Sequence, residues 1–341
     1  MKNNQLMIYG AYGYAGELMV REAVAQGLRP IIAGRDDEKL KPIATELSLE
    51  CRAFGVRNTG SNLQDISVLL NCAGPFSATA EPLARACLAQ QIHYLDITGE
   101  IDIFRKCHAL DEEARQQNVL ILPGAGTDIV PTDCLAAMLK EKLPVATRID
   151  LALSFGTNPS IGTVNTMIES FGKGGLIREG GMLKVVSNAF QMRKIPFQNK
   201  PQWAMTIPWG DVFTSGISTG VPDGAVYMAM PRMSIYMIRL TNPVKGILNT
   251  QFGQKITKRL AGWLMKKGPD AKALEAGRGQ FWGEAEAPDG EKLEMTMSTP
   301  NVYALTATVG IRIAQYCLDY TGPGGYYTPC LLYTSPSPRD S

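Results

Sequence analysis

Three glycines spaced three apart, Gly10, Gly13 and Gly16, follow directly on the apolar run Leu6–Tyr9, and an arginine, Arg35, stands one strand–helix–strand step further along. The apolar run reads as a buried parallel strand, and the glycines as a tight turn into a helix that starts at about Tyr14. The unpaired backbone N–H groups and positive dipole end of such a helix bind a diphosphate. The three glycines answer three separate needs, since one makes the turn, one lets backbone approach the phosphates, and one lets helix and strand pack closely. The run Pro30–Arg35, PIIAGR, is then a second strand whose tip faces the adenosine ribose of a bound dinucleotide. A site for NAD places a carboxylate at that tip. Here Gly34 and Arg35 leave room for a 2′-phosphate and supply a planar cation to grip it, which points to NADP(H). Asp36 and Asp37 read as the cap of the helix DDEKLKPIATEL.

The elements that must hold these residues alternate. Strands are predicted at 5–9, 30–33, 51–54, 67–72, 92–96 and 118–122, with amphipathic helices between them, the longest over Ile101–Gln117. That rhythm is α/β, a Rossmann doubly wound parallel sheet over residues 1–145. A helix over Thr132–Lys142 follows Pro131. From Thr147 to about Pro300 the chain turns rich in Gly, Ser, Thr, Met and aromatics, with alternating segments such as AMTIPW, AVYMAM and LEMTMST. Residues 146–300 are therefore expected to form a second, α+β domain with a largely antiparallel sheet that covers the cofactor, and the helix 302–317 to return to the first domain.

Ligands of doubly wound sheets lie outside the carboxyl ends of the strands, so the residues there are the candidates for chemistry. The fourth strand ends in NCAGPF, where Ala73 and Gly74 let backbone graze a cofactor and Pro75 stiffens the turn. The fifth ends in HYLDITGE and the sixth in PGAGTDIVPTD. Hydride transfer needs alignment and a proton donor, for which Asp96, Thr98, Glu100 and Asp128, with Tyr94 and His93, are the available groups. Each has a plainer alternative. Carboxylates at strand ends also cap turns, Glu100 also opens a helix, and His93 sits upstream of the sheet's reactive edge. Cys72 reads as a small buried hydrophobe.

At 341 residues the chain is long enough for about two domains, and a net charge of +2 supplies no field for nucleic acid. With His93 and His108 as the whole histidine complement, a histidine-rich metal site is excluded. The opening MKNNQ runs straight into the first strand without a leader pattern, no uncharged apolar stretch reaches about 18 residues, and seven cysteines show no paired spacing. A cytoplasmic setting is the expectation. Residues 244–267 interleave lysines with Leu248, Phe252, Ile256, Leu260, Trp263 and Leu264, a basic amphipathic pattern that suits an anionic membrane or an acyl carrier as well as a solvated helix. Cys330–Asp340, CLLYTSPSPRD, resembles the translation of sequencing-library adaptor DNA, so residues 330–341 are expected to be a non-native tail after about Pro329.

GAYGYAGELMV, AGR, NCAGPF and HYLDITGE, in that order and separation, resemble the NADP-binding domain of the saccharopine dehydrogenase family. GTVNTMIESFGKGGLIREGG and TIPWGDVFTSGISTG are similar to the saccharopine dehydrogenase-like oxidoreductases that include trans-acting enoyl reductases of lipid synthesis. The resemblance implies that Gly10, Tyr12, Gly13, Tyr14 and Ala15 surround the pyrophosphate. It also implies that Arg35 meets the 2′-phosphate and that Ala73, Gly74, Pro75 and Phe76 line the adenine-side ribose and nicotinamide approach. Tyr12 departs from the small Ser or Thr frequent in the family, and a phenol there either blocks the phosphate or points away. A substrate does not carry over, since saccharopine chemistry wants several cations and the candidate cleft loops offer little beyond Arg178 and Arg193. The expectation is an NADP-dependent oxidoreductase acting on a C=C or C=N bond of a small or acyl-chain substrate, with pairing to a second copy left open. Its alternative is a non-catalytic NADPH-binding redox sensor or lipid-surface protein.

Overall fold

The computed structural model describes residues 4–155, 174–240, 242–244 and 277–334. It divides into two compact units, Met1–Val130 with Tyr303–Ser341, and Pro131–Val302. The first begins β1 (Leu6–Tyr9), α1 (Tyr14–Ala25), β2 (Ile31–Gly34), α2 (Asp37–Leu47), β3 (Cys51–Ala53) and β4 (Val68–Asn71). It continues α3 (Phe76–Ala89), β5 (His93–Asp96), α4 (Ile101–His108), α5 (Asp111–Gln117) and β6 (Leu120–Leu122). LMIY, IIAG and VLLN are buried at every position, as parallel strands covered on both faces must be. The single helix expected over Ile101–Gln117 is two. At Ala109 and Leu110 ψ rises to −12° and 3° as Leu110 turns into the core, and Asp111, Glu112 and Glu113 then fill the first turn of a new helix, where acids suit the dipole.

The second unit runs α6 (Val130–Lys142), β7 (Arg148–Phe155), β8 (Gly175–Glu179), β9 (Met182–Val186), β10 (Met192–Pro196) and β11 (Pro201–Ile207). There follow α7 (Asp211–Thr219), β12 (Asp223–Ala229), α8 (Arg232–Leu240), β13 (Gly279–Glu286) and β14 (Lys292–Thr299). Among the described residues its sheet has the order β10-β11-β12-β7-β13-β14, with β8 and β9 attached at β12. Pairing is antiparallel except between β7 and β12. Helix α6, expected within the first domain, groups here instead. The reason is packing: a Cβ on Gly283 of β13 would lie 2.6 Å from Leu139 and 3.3 Å from Leu135, so α6 sits flush on this sheet.

The chain then returns to the first unit as α9 (Val302–Leu318), β15 (Gly325–Tyr326) and α10 (Pro329–Thr334). Ala307, Ile311, Ala314 and Cys317 of α9 join Met19, Val20 and Leu122 in one core, and Thr306 accepts the Thr127 N–H at 3.1 Å. The completed sheet is parallel throughout, in the order β15-β6-β5-β4-β1-β2-β3, with its switch point between β1 and β4. Of the tail expected outside the fold, Cys330 and Leu332 of α10 are buried. The motif portion 162–173 and the basic segment 245–267 lie outside the described residues.

Candidate functional site

The turn after β1 is held by Gly10 and Ala11, whose N–H groups both donate to the Ala33 carbonyl, at 2.7 and 3.1 Å. Gly10 has φ +85°, and a Cβ there would lie 2.7 Å from the Ala73 backbone nitrogen, so the turn wedges directly against the loop after β4. Gly13 is the N-cap of α1 and offers no side-chain acceptor, while Glu17, the acid of the first turn, is drawn back to Arg21 at 2.9 Å. The start of α1 is therefore bounded by backbone from Gly10, Gly13 and Ala15 and flanked by Tyr14, whose ring meets Tyr303 edge-on at 5.2 Å. Sequence reasoning missed Tyr303, which no local pattern ties to α1.

At the tip of β2 the acids are spent. Asp36 accepts from the Lys39 N–H at 3.3 Å and pairs with its Nζ at 3.2 Å, and Asp37 pairs with Lys41 at 2.7 Å. Arg35 is exposed and makes no ion pair or hydrogen bond among the described residues. Tyr12 lies over the same tip. A Cβ on Gly34 would be 2.6 Å from its Cε1, and Lys39 Nζ stands 5.6 Å from its ring centroid. The phenol thus rests on β2 beside Arg35, and these residues fit a dinucleotide carrying a 2′-phosphate. Gly34→Ala is expected to push the Tyr12 ring off the strand and cost about 1 kcal/mol of stability in urea unfolding, with Tyr12→Ser in the same chain restoring it.

The loops after β4, β5 and β6 are locked together by polar groups. Asn71 Nδ2 donates to the Tyr94 hydroxyl at 3.2 Å, and its Oδ1 accepts the Ala73 N–H at 3.0 Å. Tyr94 donates to Asp96 Oδ2 at 2.9 Å, while Asp96 Oδ1 accepts the N–H groups of Thr98 and Gly124, both at 3.0 Å. Asp96 is fully buried and ties the loops after β5 and β6 directly, and the loop after β4 through Tyr94 and Asn71. Burial pushes its carboxyl up to about 6. Thr98, also buried, accepts the Glu100 N–H at 3.1 Å, and Glu100 is the half-buried N-cap of α4. Asp128 lies at the exit of β6, and its enclosure by protein pushes the carboxyl up to about 7. Phe76 opens α3 after Ala73, Gly74 and Pro75, where a side chain on Gly74 would meet open space. His93 accepts the Leu120 N–H at 3.0 Å, and the Cys72 thiol, raised by burial, lies against Met19 sulfur. Both serve the core. Asn71 was legible only as a polar residue closing an apolar strand.

The two cations singled out in the second unit are occupied. Arg178 is buried, donating to Val221 O at 3.1 Å, Ser215 Oγ at 3.1 Å and Val212 O, and burial lowers its guanidinium to about 10. Arg193 bonds Glu284 at 3.1 and 3.2 Å and lies 4.6 Å from the Trp282 ring centroid. No group of side chains suited to a metal ion occurs among the described residues, and all seven cysteines are free thiols.

Residues 6–122 match the family described as the saccharopine dehydrogenase NADP binding domain, the span that carries this glycine turn and the loops after β4 and β5, and that ends with β6. A saccharopine dehydrogenase-like oxidoreductase of Rattus norvegicus is 25% identical over 231 residues, covering 59% of this chain and 53% of the relative. A Caenorhabditis elegans lipid droplet localized protein is 24% identical over 41% of this chain and 37% of its own length. A Mycobacterium tuberculosis protein named as a candidate trans-acting enoyl reductase is 28% identical over 54% of this chain and 44% of its own. The chain thus spans about half the length, or less, of these curated relatives. Apo saccharopine dehydrogenase (L-Glu forming) of Saccharomyces cerevisiae shares the fold, with TM-score 0.64 at 10% identity over 95% of this chain and 94% of that one.

Proposed function

We propose that this saccharopine dehydrogenase-like chain is an NADP-dependent oxidoreductase acting on a C=C or C=N bond of a small or lipid-linked substrate. The observation that carries the reading is the pairing of a helix start without a side-chain cap, at Gly13, with an exposed arginine whose neighbouring acids are all engaged elsewhere. Bound NADPH supplies the hydride. The chain's own residues do the rest: the Gly13 N–H closes the turn onto the Gly10 carbonyl at 3.0 Å, backbone at Tyr14 and Ala15 takes the diphosphate, and Arg35 with Tyr12 and Gly34 takes the 2′-phosphate. The loop Ala73–Phe76, fixed by Asn71, lies along the ribose and nicotinamide side. Of the carboxylates at the strand ends, Asp128 retains its proton nearest to neutrality, which suits it to donate one to the reduced substrate.

The test follows NADPH absorbance against enoyl thioesters, imines and keto acids. Cofactor oxidation with an enoyl thioester or an imine is expected. Tight NADPH binding without turnover of any of the three would leave a redox sensor in place of an enzyme. A second reading is supported by the lipid droplet relative and the lysine-rich 245–267 sequence, namely attachment of the same protein to a lipid surface. Among the described residues no helix is long and apolar enough to cross a membrane, so such attachment is peripheral for them.

A further inference from the structure

Helix α8, RMSIYMIRL, faces the wrong way for an element that serves only its own core. Ile235 is its buried residue. Met233, Tyr236, Met237 and Leu240 recur at i, i+3, i+4 and i+7, the spacing of a core-facing stripe, yet they are 72, 38, 59 and 72% exposed. The helix is nonetheless firmly seated. Arg232 lies 5.0 Å from the Trp203 ring centroid, and Arg239 Nε donates to Ala189 O at 2.9 Å. The stripe is thus a fixed surface feature with an arginine at each end.

Charge decides what covers it. Between Asp223 and Asp270 the sequence contains no acid and eight lysines and arginines, with α8 inside that stretch. A second copy of the same face would set the arginines Arg232 and Arg239 against their own copies, whereas a layer of anionic headgroups over acyl chains matches both the apolar stripe and the arginine at each of its ends. We propose that α8 is a membrane-binding face, lying in the plane of an anionic phospholipid surface with Met233, Met237 and Leu240 among the acyl chains and its arginines at the phosphates. This rests on the lipid-surface reading above and goes beyond it by assigning the contact to a structured helix outside the lysine-rich segment.

The experiment is flotation of the full chain with phosphatidylcholine vesicles containing phosphatidylserine. Three proteins are compared: the unaltered chain, Met233→Gln/Met237→Gln/Leu240→Gln, and Lys255→Gln/Lys258→Gln/Lys266→Gln. The unaltered chain is expected to float. The α8 variant should lose about ten-fold or more in partitioning while keeping its NADPH affinity, which reports that it is folded. If the unaltered chain does not float, the lipid-surface reading itself fails. If it floats and the α8 variant floats equally while the lysine variant does not, the reading stands and the assignment to α8 is overturned. Sedimentation velocity without lipid closes the remaining route, because conversion of a dimer to a monomer by the α8 substitutions would make this face a self-association surface instead.

Discussion

Arg35→Ala is expected to weaken NADPH binding by about 2 kcal/mol or more, roughly thirty-fold, while leaving NADH binding nearly unchanged. The Arg35 guanidinium is exposed and makes no ion pair or hydrogen bond among the described residues, its influence on them being electrostatic, at the Tyr9 hydroxyl, so the loss falls on the ligand that carries the extra phosphate. Arg35→Lys should recover part of it, since an ammonium keeps the charge and loses the bidentate plane. Titration calorimetry with both coenzymes makes the measurement. Equal losses for NADPH and NADH would show that Arg35 does not read the 2′-phosphate.

Asp96→Ala should cost about 3–5 kcal/mol of stability, because it leaves the Tyr94 hydroxyl proton and the N–H groups of Thr98 and Gly124 without acceptors in a buried site and opens a void among them. The pH dependence is a second handle. With the folded carboxyl at about 6 and an ordinary value of 3.8, the folded protein holds this proton more tightly than the unfolded one between those values. Its contribution is therefore complete below about pH 4 and is lost as pH rises through about 6. Asp128, at about 7, adds a slope of the same sign that extends to neutrality. Urea unfolding from pH 4 to 7 should show Asp96→Asn flattening the lower part of the slope and Asp128→Asn the upper. Unaltered slopes in both variants would place the titration elsewhere.

What was legible in the sequence was whatever local chemistry enforces. LMIY before three spaced glycines specifies a strand, a turn and a helix because no other arrangement buries those side chains and satisfies that backbone. Asp36 as a cap follows from residue type and position. The break at Ala109–Leu110 was hidden because the apolar period continues across it, and only the ψ angles change. The Asn71–Tyr94–Asp96 chain was hidden for a different reason: its members meet through the parallel pairing of β4 with β5, which no single segment encodes. Arg178 and Arg193 misled in the opposite direction. Each sits on a strand, β8 or β10, and finds its partners elsewhere in its own unit, on α7 and the loop after it or on β13. Gly325–Tyr326 carries no period at all, and a pair of residues becomes a strand there only because the β6 edge awaits it.

That edge has a consequence for biosynthesis. A ribosome delivers β6 some two hundred codons before it delivers Gly325, and all of Pro131–Val302 emerges in the interval. Throughout that time the nascent N-terminal sheet presents an open strand and, where α9 will later dock, bare Met19, Val20 and Leu122. Chaperone capture of stalled nascent chains should accordingly peak while the later unit is being translated and fall once the final strand is released.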